Sequence, residues 1–188
     1  TEATLSADAP TIATPAAGAP VAGAALGRGQ VFAGRYEVLG TLGKGGMGVV
    51  YRARDRQLDE VVALKLLRPE ALAADPTLLE RFKQELKLAR RITHRNVLRT
   101  HDFGETGGVP YISMEYVDGV TLKEVVHSRG ALPLGVGLSI AKQMCHGLGA
   151  AHAGGVVHRD IKPHNMLILP ETAELKIMDF GISRVSSV

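Results

Sequence analysis

The run His158-Arg159-Asp160-Ile161-Lys162-Pro163-His164-Asn165, followed by Asp179-Phe180-Gly181, decides how the rest of the chain is read. Pro163, and Gly154 and Gly155 just upstream, argue against helix here, so the first run is a polar, proline-held loop after a long helical stretch. Such a loop can aim several side chains at one point. Asp160 and Asn165 stand five residues apart with Lys162 between them, and Asp179 closes a short apolar strand. Asn165 and Asp179 are two oxygen donors that suit Mg²⁺, which takes few protein ligands and shares its shell with phosphates. The plainer reading, two polar turns bounding a β-hairpin of residues 166–169 and 175–178, accounts for either run but poorly for both in this order.

Upstream, Gly43, Gly45 and Gly48 form G-x-G-x-x-G within Leu42-Gly43-Lys44-Gly45-Gly46-Met47-Gly48-Val49. The pattern alone also fits a ligand-free hairpin. Val49-Val50-Tyr51 continues as strand rather than opening a helix, and no G-x-x-x-x-G-K-[ST] occurs, so dinucleotide and Walker-type loops are excluded. What remains is a strand–loop–strand flap whose backbone can approach phosphates closely. Lys65 interrupts the apolar run Val62-Ala63-Leu64-Lys65-Leu66-Leu67, and Glu85 falls beside Phe82, Leu86 and Ala89 on the apolar stripe of the next helix. Each could be an ordinary surface charge, Glu85 pairing with Arg81. A Lys65–Glu85 pair explains both embedded charges and turns the lysine toward phosphate oxygens.

Around these motifs the 188 residues carry 45% apolar and 22% charged side chains, the balance of a globular protein. The net charge of +3 is too small and scattered for a nucleic-acid footprint. Cys145 is the single cysteine, which excludes an internal disulfide and fits a reducing compartment. No run of about 20 apolar residues could span a bilayer. Ala, Pro and Gly dominate residues 1–30, a composition with little to bury, so residues 1–34 are expected to be a flexible linker or tail. Strand-like runs and one helix, entered at Asp75-Pro76, fill residues 36–116; beyond Gly119 the chain is mainly helical, with a long helix near 134–152. That order predicts two lobes of different class, an α+β fold. His146, His152, His158 and His164 recur every six residues, a spacing that does not share a helical face and so makes a poor metal site.

In this order the motifs resemble those of protein kinases, and the chain is similar to the bacterial, eukaryotic-like serine/threonine kinases. Lys162 resembles the serine/threonine branch, and Tyr111 to Gly119 resemble the hinge between lobes. The resemblance implies a two-lobed fold, with residues 35–117 as small lobe and hinge and residues 118–188 as part of the large lobe. It implies ATP and Mg²⁺ as cofactors and Ser/Thr hydroxyls of proteins, its own among them, as acceptors. It assigns Gly43, Gly45 and Gly48 to the phosphates, Lys65 to the α- and β-phosphates, and Glu85 to positioning Lys65. Asp160 would accept the hydroxyl proton, Lys162 steady the γ-phosphate, and Asn165 and Asp179 hold the metal. Leu42, Val50, Ala63 and Leu167 would sandwich the adenine, Met114 guard the back of that pocket, and Glu115 and Val117 bond the base through their backbone. Arg159 resembles the arginine of kinases controlled by activation-loop phosphorylation. The A-P-E motif expected after Gly181 does not occur before Val188, so the segment is expected to be a cytoplasmic fragment with little kinase activity by itself. A scaffold that binds ATP without catalysis, or a small-molecule phosphotransferase, are the alternatives.

Overall fold

The computed structural model describes residues 25–45, 48–74 and 77–180, with the side chains of residues 78, 81, 82, 84, 85 and 88 left aside. The tail through residue 24, the Asp75-Pro76 cap, the Phe82 and Glu85 side chains and everything from Gly181 onward lie outside the described residues.

Tyr36–Lys44 (β2), Gly48–Asp55 (β3) and Glu60–Leu67 (β4) form an antiparallel meander, with Thr100–Thr106 (β5), Val109–Glu115 (β6) and the short Val31–Phe32 (β1) completing a six-stranded sheet in the order β1-β2-β3-β4-β6-β5. β3 alternates as a half-buried strand should, with Tyr51, Ala53 and Asp55 inward and Arg52 and Arg54 outward. The β5–β6 hairpin turns on Gly107 and Gly108, both at positive φ (59° and 75°), which a two-residue turn matching the strand twist demands. Two helices, Pro69–Ala74 (α1) and Leu78–Ala89 (α2), run between β4 and β5. Leu86 packs with Leu67 and Ile112 of the sheet, and Ala89 reaches a second core.

Residues 26–34, expected to belong to the tail, lie against the sheet. Phe32 is 1% exposed in the core with Tyr36, Tyr51 and Leu64, and its ring meets Tyr111 edge-on at 5.2 Å. The N–H of Leu26 donates to Tyr51 Oη at 3.0 Å, and Gly29 bonds Val38. One aromatic side chain is enough to draw an otherwise turn-rich stretch onto the sheet.

The second part begins with Val120–Thr121 (β7), Leu122–Arg129 (α3) and Leu134–Ala153 (α4), and continues through a single 3₁₀ turn, Pro163–Asn165, into Met166–Ile168 (β8) and Leu175–Ile177 (β9). The three strands pair as β7-β8-β9. Thr121 caps α3 with a reciprocal Thr121–Glu124 box. Its core gathers Ile92, Val97, Ala151, Val156, Met166, Leu175, Ile177 and Phe180. The two parts are stitched where residues 96–98 run beside β9: Ile177 donates to Asn96 O at 2.9 Å and Leu98 to Ile177 O at 2.8 Å. α4 crosses here on Gly147, where a Cβ would come within 2.9 Å of Asn96 O and of the Ile177 side chain.

Arg35 anchors the start of the sheet. Its Nε and Nη2 donate to the Asp55 carboxylate at 2.6 to 2.9 Å, and Gln57 N–H donates to Asp55 Oδ1 at 3.0 Å. These bonds, the guanidinium's foremost, hold the Asp55 carboxyl below the usual aspartate range. Because the native value is the lower one, the stabilisation is complete above the ordinary value near pH 4 and is lost as pH falls through the native value. Asp55→Asn is expected to cost about 2 kcal/mol at neutral pH, less than a fully buried pair because Arg35 keeps part of its surface in water. The gap between variant and wild type in denaturant titrations should narrow as pH falls below about 4. A gap that stays constant down to pH 2 would contradict this account.

Candidate active site

Leaving α4, the chain turns at Gly155 (φ 75°) and presents His158–Asn165 as a loop bonded to itself and to the strand end beyond β9. The Asp160 N–H donates to His158 Nδ1 at 3.2 Å, so the ring carries its proton on Nε2 and donates to Met178 O at 2.9 Å. His158 is 1% exposed and stacks edge-on against Phe180 at 4.6 Å. Asn165 Nδ2 donates to Asp160 O at 2.8 Å and to Asp160 Oδ2 at 2.9 Å. Lys162 Nζ meets the same Oδ2 at 2.6 Å. Asp160, Lys162 and Asn165, singled out by spacing, therefore form one bonded cluster. Its strain is local: Arg159 (φ 67°) and Asp179 (φ 59°) both hold left-handed backbone without being glycine, a conformation that concentrates at functional sites.

A cleft of about 370 Å³ opens between the sheet and β8. Leu42, Gly43, Val50, Ala63, Lys65, Met114, Glu115, Val117, Leu167 and Asp179 line it, all marked in the sequence. Strand register explains the convergence, since Val50 and Lys65 are cross-strand partners on β3 and β4, and Ala63 pairs with Met114 on β6. Gly45, Gly48, Asp160, Lys162 and Asn165 are not among the lining residues. The cluster adjoins the cleft through Met178, whose N–H donates to Asn165 O at 2.9 Å and which lines the cleft beside Asp179.

The Lys65–Glu85 pair lies outside the described residues. Among the described ones Lys65 Nζ meets Asp179 Oδ1 at 2.8 Å, across 114 residues of sequence, with side chains 13% and 29% exposed. Tyr116, Asp118 and Gly119, from the hinge-like run, also line the cleft, as do Leu98, Thr121, Glu124 and Met178, which belong to no motif. The Thr121 N–H and hydroxyl hold the Glu124 carboxyl below its usual range.

Asn165 spends its amide nitrogen on Asp160, leaving Oδ1 as the atom that can face a cation, and Asp179 supplies a carboxylate. These are hard oxygen donors, the set that suits Mg²⁺ shared with phosphates. Among the described residues no three His, Cys, Asp or Glu side chains gather as a metal cage.

The glycines divide by cause. A Cβ on Gly48 would overlap the carbonyl oxygen of Leu66 on β4, whereas a Cβ on Gly43 or Gly45 would meet nothing within 4 Å. Gly48 thus serves sheet packing, and Gly43 and Gly45 are spared for whatever approaches the flap. Gly48→Ala is expected to destabilise the chain by about 2–4 kcal/mol, and Gly43→Ala by less than about 1 kcal/mol, both measured by denaturant unfolding. Equal losses would refute the division.

Comparison with known proteins places these features. The protein kinase domain matches residues 36–187. The serine/threonine-protein kinase PknB of Mycobacterium leprae is 43% identical over 154 residues, which cover 80% of this chain and 24% of PknB. A crystal structure of the Mycobacterium tuberculosis PknI kinase domain superposes with a TM-score of 0.76 at 37% identity, covering 85% of this chain and 63% of that one. A Rad53 structure in complex with AMP-PNP superposes with a TM-score of 0.71 at 26% identity, covering 82% of this chain and 41% of that one. The sheet, the strand-bounded cleft and the loop beside it are those of a two-lobed phosphotransferase fold. The chain belongs to the protein kinase domain family, and it spans about a quarter of the length of the PknB that it matches.

Proposed function

We propose that the cleft binds ATP with Mg²⁺ and that the Asp160 loop directs transfer of the γ-phosphoryl group to serine or threonine hydroxyls of proteins. The observation that carries the reading is the alignment of one cleft, lined by Glu115 and Val117 at one end and by Lys65 and Asp179 at the other, beside a cluster in which Asp160, Lys162 and Asn165 are bonded together. The AMP-PNP bound in the Rad53 structure supports the choice of nucleotide.

In this reading the backbone at Glu115 and Val117 bonds the base, and Leu42, Val50, Ala63 and Leu167 enclose it. Lys65 exchanges Asp179 for phosphate oxygens. Asn165 and Asp179 would hold Mg²⁺, which supplies charge neutralisation on the phosphate oxygens. Asp160 takes the proton of the acceptor hydroxyl as its oxygen bonds to the γ-phosphorus; the bond from that phosphorus to the bridging oxygen breaks, and ADP leaves. Lys162, held by Asp160, offsets charge on the transferred group. Positioning and neutralisation are most of what phosphoryl transfer needs. Acceptors on the kinase itself are included among the substrates. No helix among the described residues is long and apolar enough to cross a membrane. A site that consumes ATP, in a chain with one free cysteine, fits work in the cytoplasm.

In a chain that carries the rest of a kinase domain, as the PknI structure does, Asp160→Asn is expected to lower phosphoryl transfer about 10² to 10⁴-fold while leaving ATP affinity near wild type. Lys65→Met should weaken ATP binding itself. Isotope transfer from γ-labelled ATP and calorimetric binding measure the two effects. Full transfer by Asp160→Asn would rule out Asp160 as the base.

A further inference from the structure

Glu115 closes β6, where the sheet passes into the segment leading to the second part, and it is tied from two sides. Its N–H donates to Arg99 O at 2.8 Å, and its Oε2 accepts from the Arg99 N–H at 3.1 Å. Its Oε1 meets Lys176 Nζ, on β9 of the other sheet, at 2.8 Å. The Lys176 side chain is only 12% exposed, a depth at which an ammonium needs an opposite charge. Glu115 lines both the nucleotide cleft and an adjoining groove of about 500 Å³; Lys176 lines the groove and not the cleft. Lys176 is therefore not a wall of the cleft; it reaches the cleft through its ion pair with Glu115 and through Leu167, its cross-strand partner on β8.

β9 is also the element that delivers Asp179. Ile177 is bonded to Asn96 and Leu98, and Asp179, two residues further, pairs with Lys65. The strand is thus attached to the base end of the cleft at Lys176 and reaches its phosphate end at Asp179.

We propose that Lys176 is a positioning residue: by tying β9 to Glu115 it fixes the backbone that meets the base and sets its distance from Asp179. The inference rests on the cleft being a nucleotide site. Among the described contacts, removing the ammonium leaves the Glu115 carboxylate with the Arg99 N–H, and the backbone from Glu115 to Gly119 is then held to the second sheet at its far end, where Val120 pairs with Ile168 on β8, and no longer at Glu115.

The test is calorimetric titration of the 188-residue chain with Mg²⁺–ATP and, separately, with adenosine, together with amide hydrogen exchange of residues 115–119 without ligand. Lys176→Met should weaken both ligands about tenfold, the scale of one charge-assisted hydrogen bond passed on to binding. It should also speed exchange at these amides, and Lys176→Arg, which keeps the ion pair, should restore both. Equal losses for ATP and adenosine locate the defect at the base. A loss confined to ATP, or wild-type affinities with unchanged exchange, would overturn the proposal. If Lys176→Met fails to fold, Glu115→Gln, which keeps an acceptor for Arg99 and removes the charge, carries the same expectation. A wild-type chain that binds neither ligand defeats the nucleotide reading, while the exchange experiment still decides whether the tie holds the hinge.

Discussion

Asn96 is where the two parts of the molecule become one. It is 2% exposed, its carbonyl accepts from Ile177, and its Nδ2 donates to Leu175 O at 2.8 Å and to Gln143 Oε1 at 3.1 Å. The N–H of Leu175 returns a bond to the same Gln143 oxygen at 2.9 Å. One buried amide thus fixes the segment after α2, strand β9 and helix α4 together, in a dry setting where an unmade bond would cost its full desolvation. The cleft lies downstream of this constraint, because its upper wall hangs from β4 and β6, and its floor from β8 and the end of β9.

Much of this was visible in the chain, and the reasons differ by element. The meander showed itself through β-favouring runs, separated by glycines between β2 and β3 and by the polar stretch of residues 55–60 between β3 and β4. α2 and α4 were legible from apolar spacing. β1 was hidden because Phe32 stands alone among turn residues, and its burial depends on Tyr36 and Tyr111, which local pattern does not report. α1 escaped for a similar reason, since its six residues bury nothing completely.

The cleft followed the same rule. Residues that belong to a motif, such as Lys65 and Asp179 in the cleft and Asp160 beside it, stand out in the chain because their spacing is chemical. Leu98, bonded to Ile177, and Thr121, paired with Leu167, reach the cleft through contacts between distant segments and carry no such signal. The Lys65–Asp179 contact joins β4 to the segment just beyond β9, and the sequence offered Glu85 as the nearer partner. Gly48 was marked with its neighbours as a phosphate residue, yet its packing against Leu66 requires glycine before any ligand is considered.

The pairing of charges has a consequence for how such a cleft takes up a polyanion. Asp179 holds Lys65, Asp160 holds Lys162 and Glu115 holds Lys176, all half-buried or deeper except the more exposed Lys162. A buried charge without a partner costs several kcal/mol, so a cleft of isolated lysines and carboxylates would resist folding. Paired, each charge sits in a bonded state, and in the proposed reading an incoming phosphate with its cation would replace the partner of Lys65 rather than strip water from a bare ion. That exchange would be close to neutral in count of ion contacts, leaving affinity to the apolar enclosure of the base. Lys176 does not line the cleft, so in the proposed reading its bond to Glu115 has no ligand to yield to and can stay made while Lys65 exchanges Asp179 for phosphate. A site whose charges must change partners needs at least one that does not.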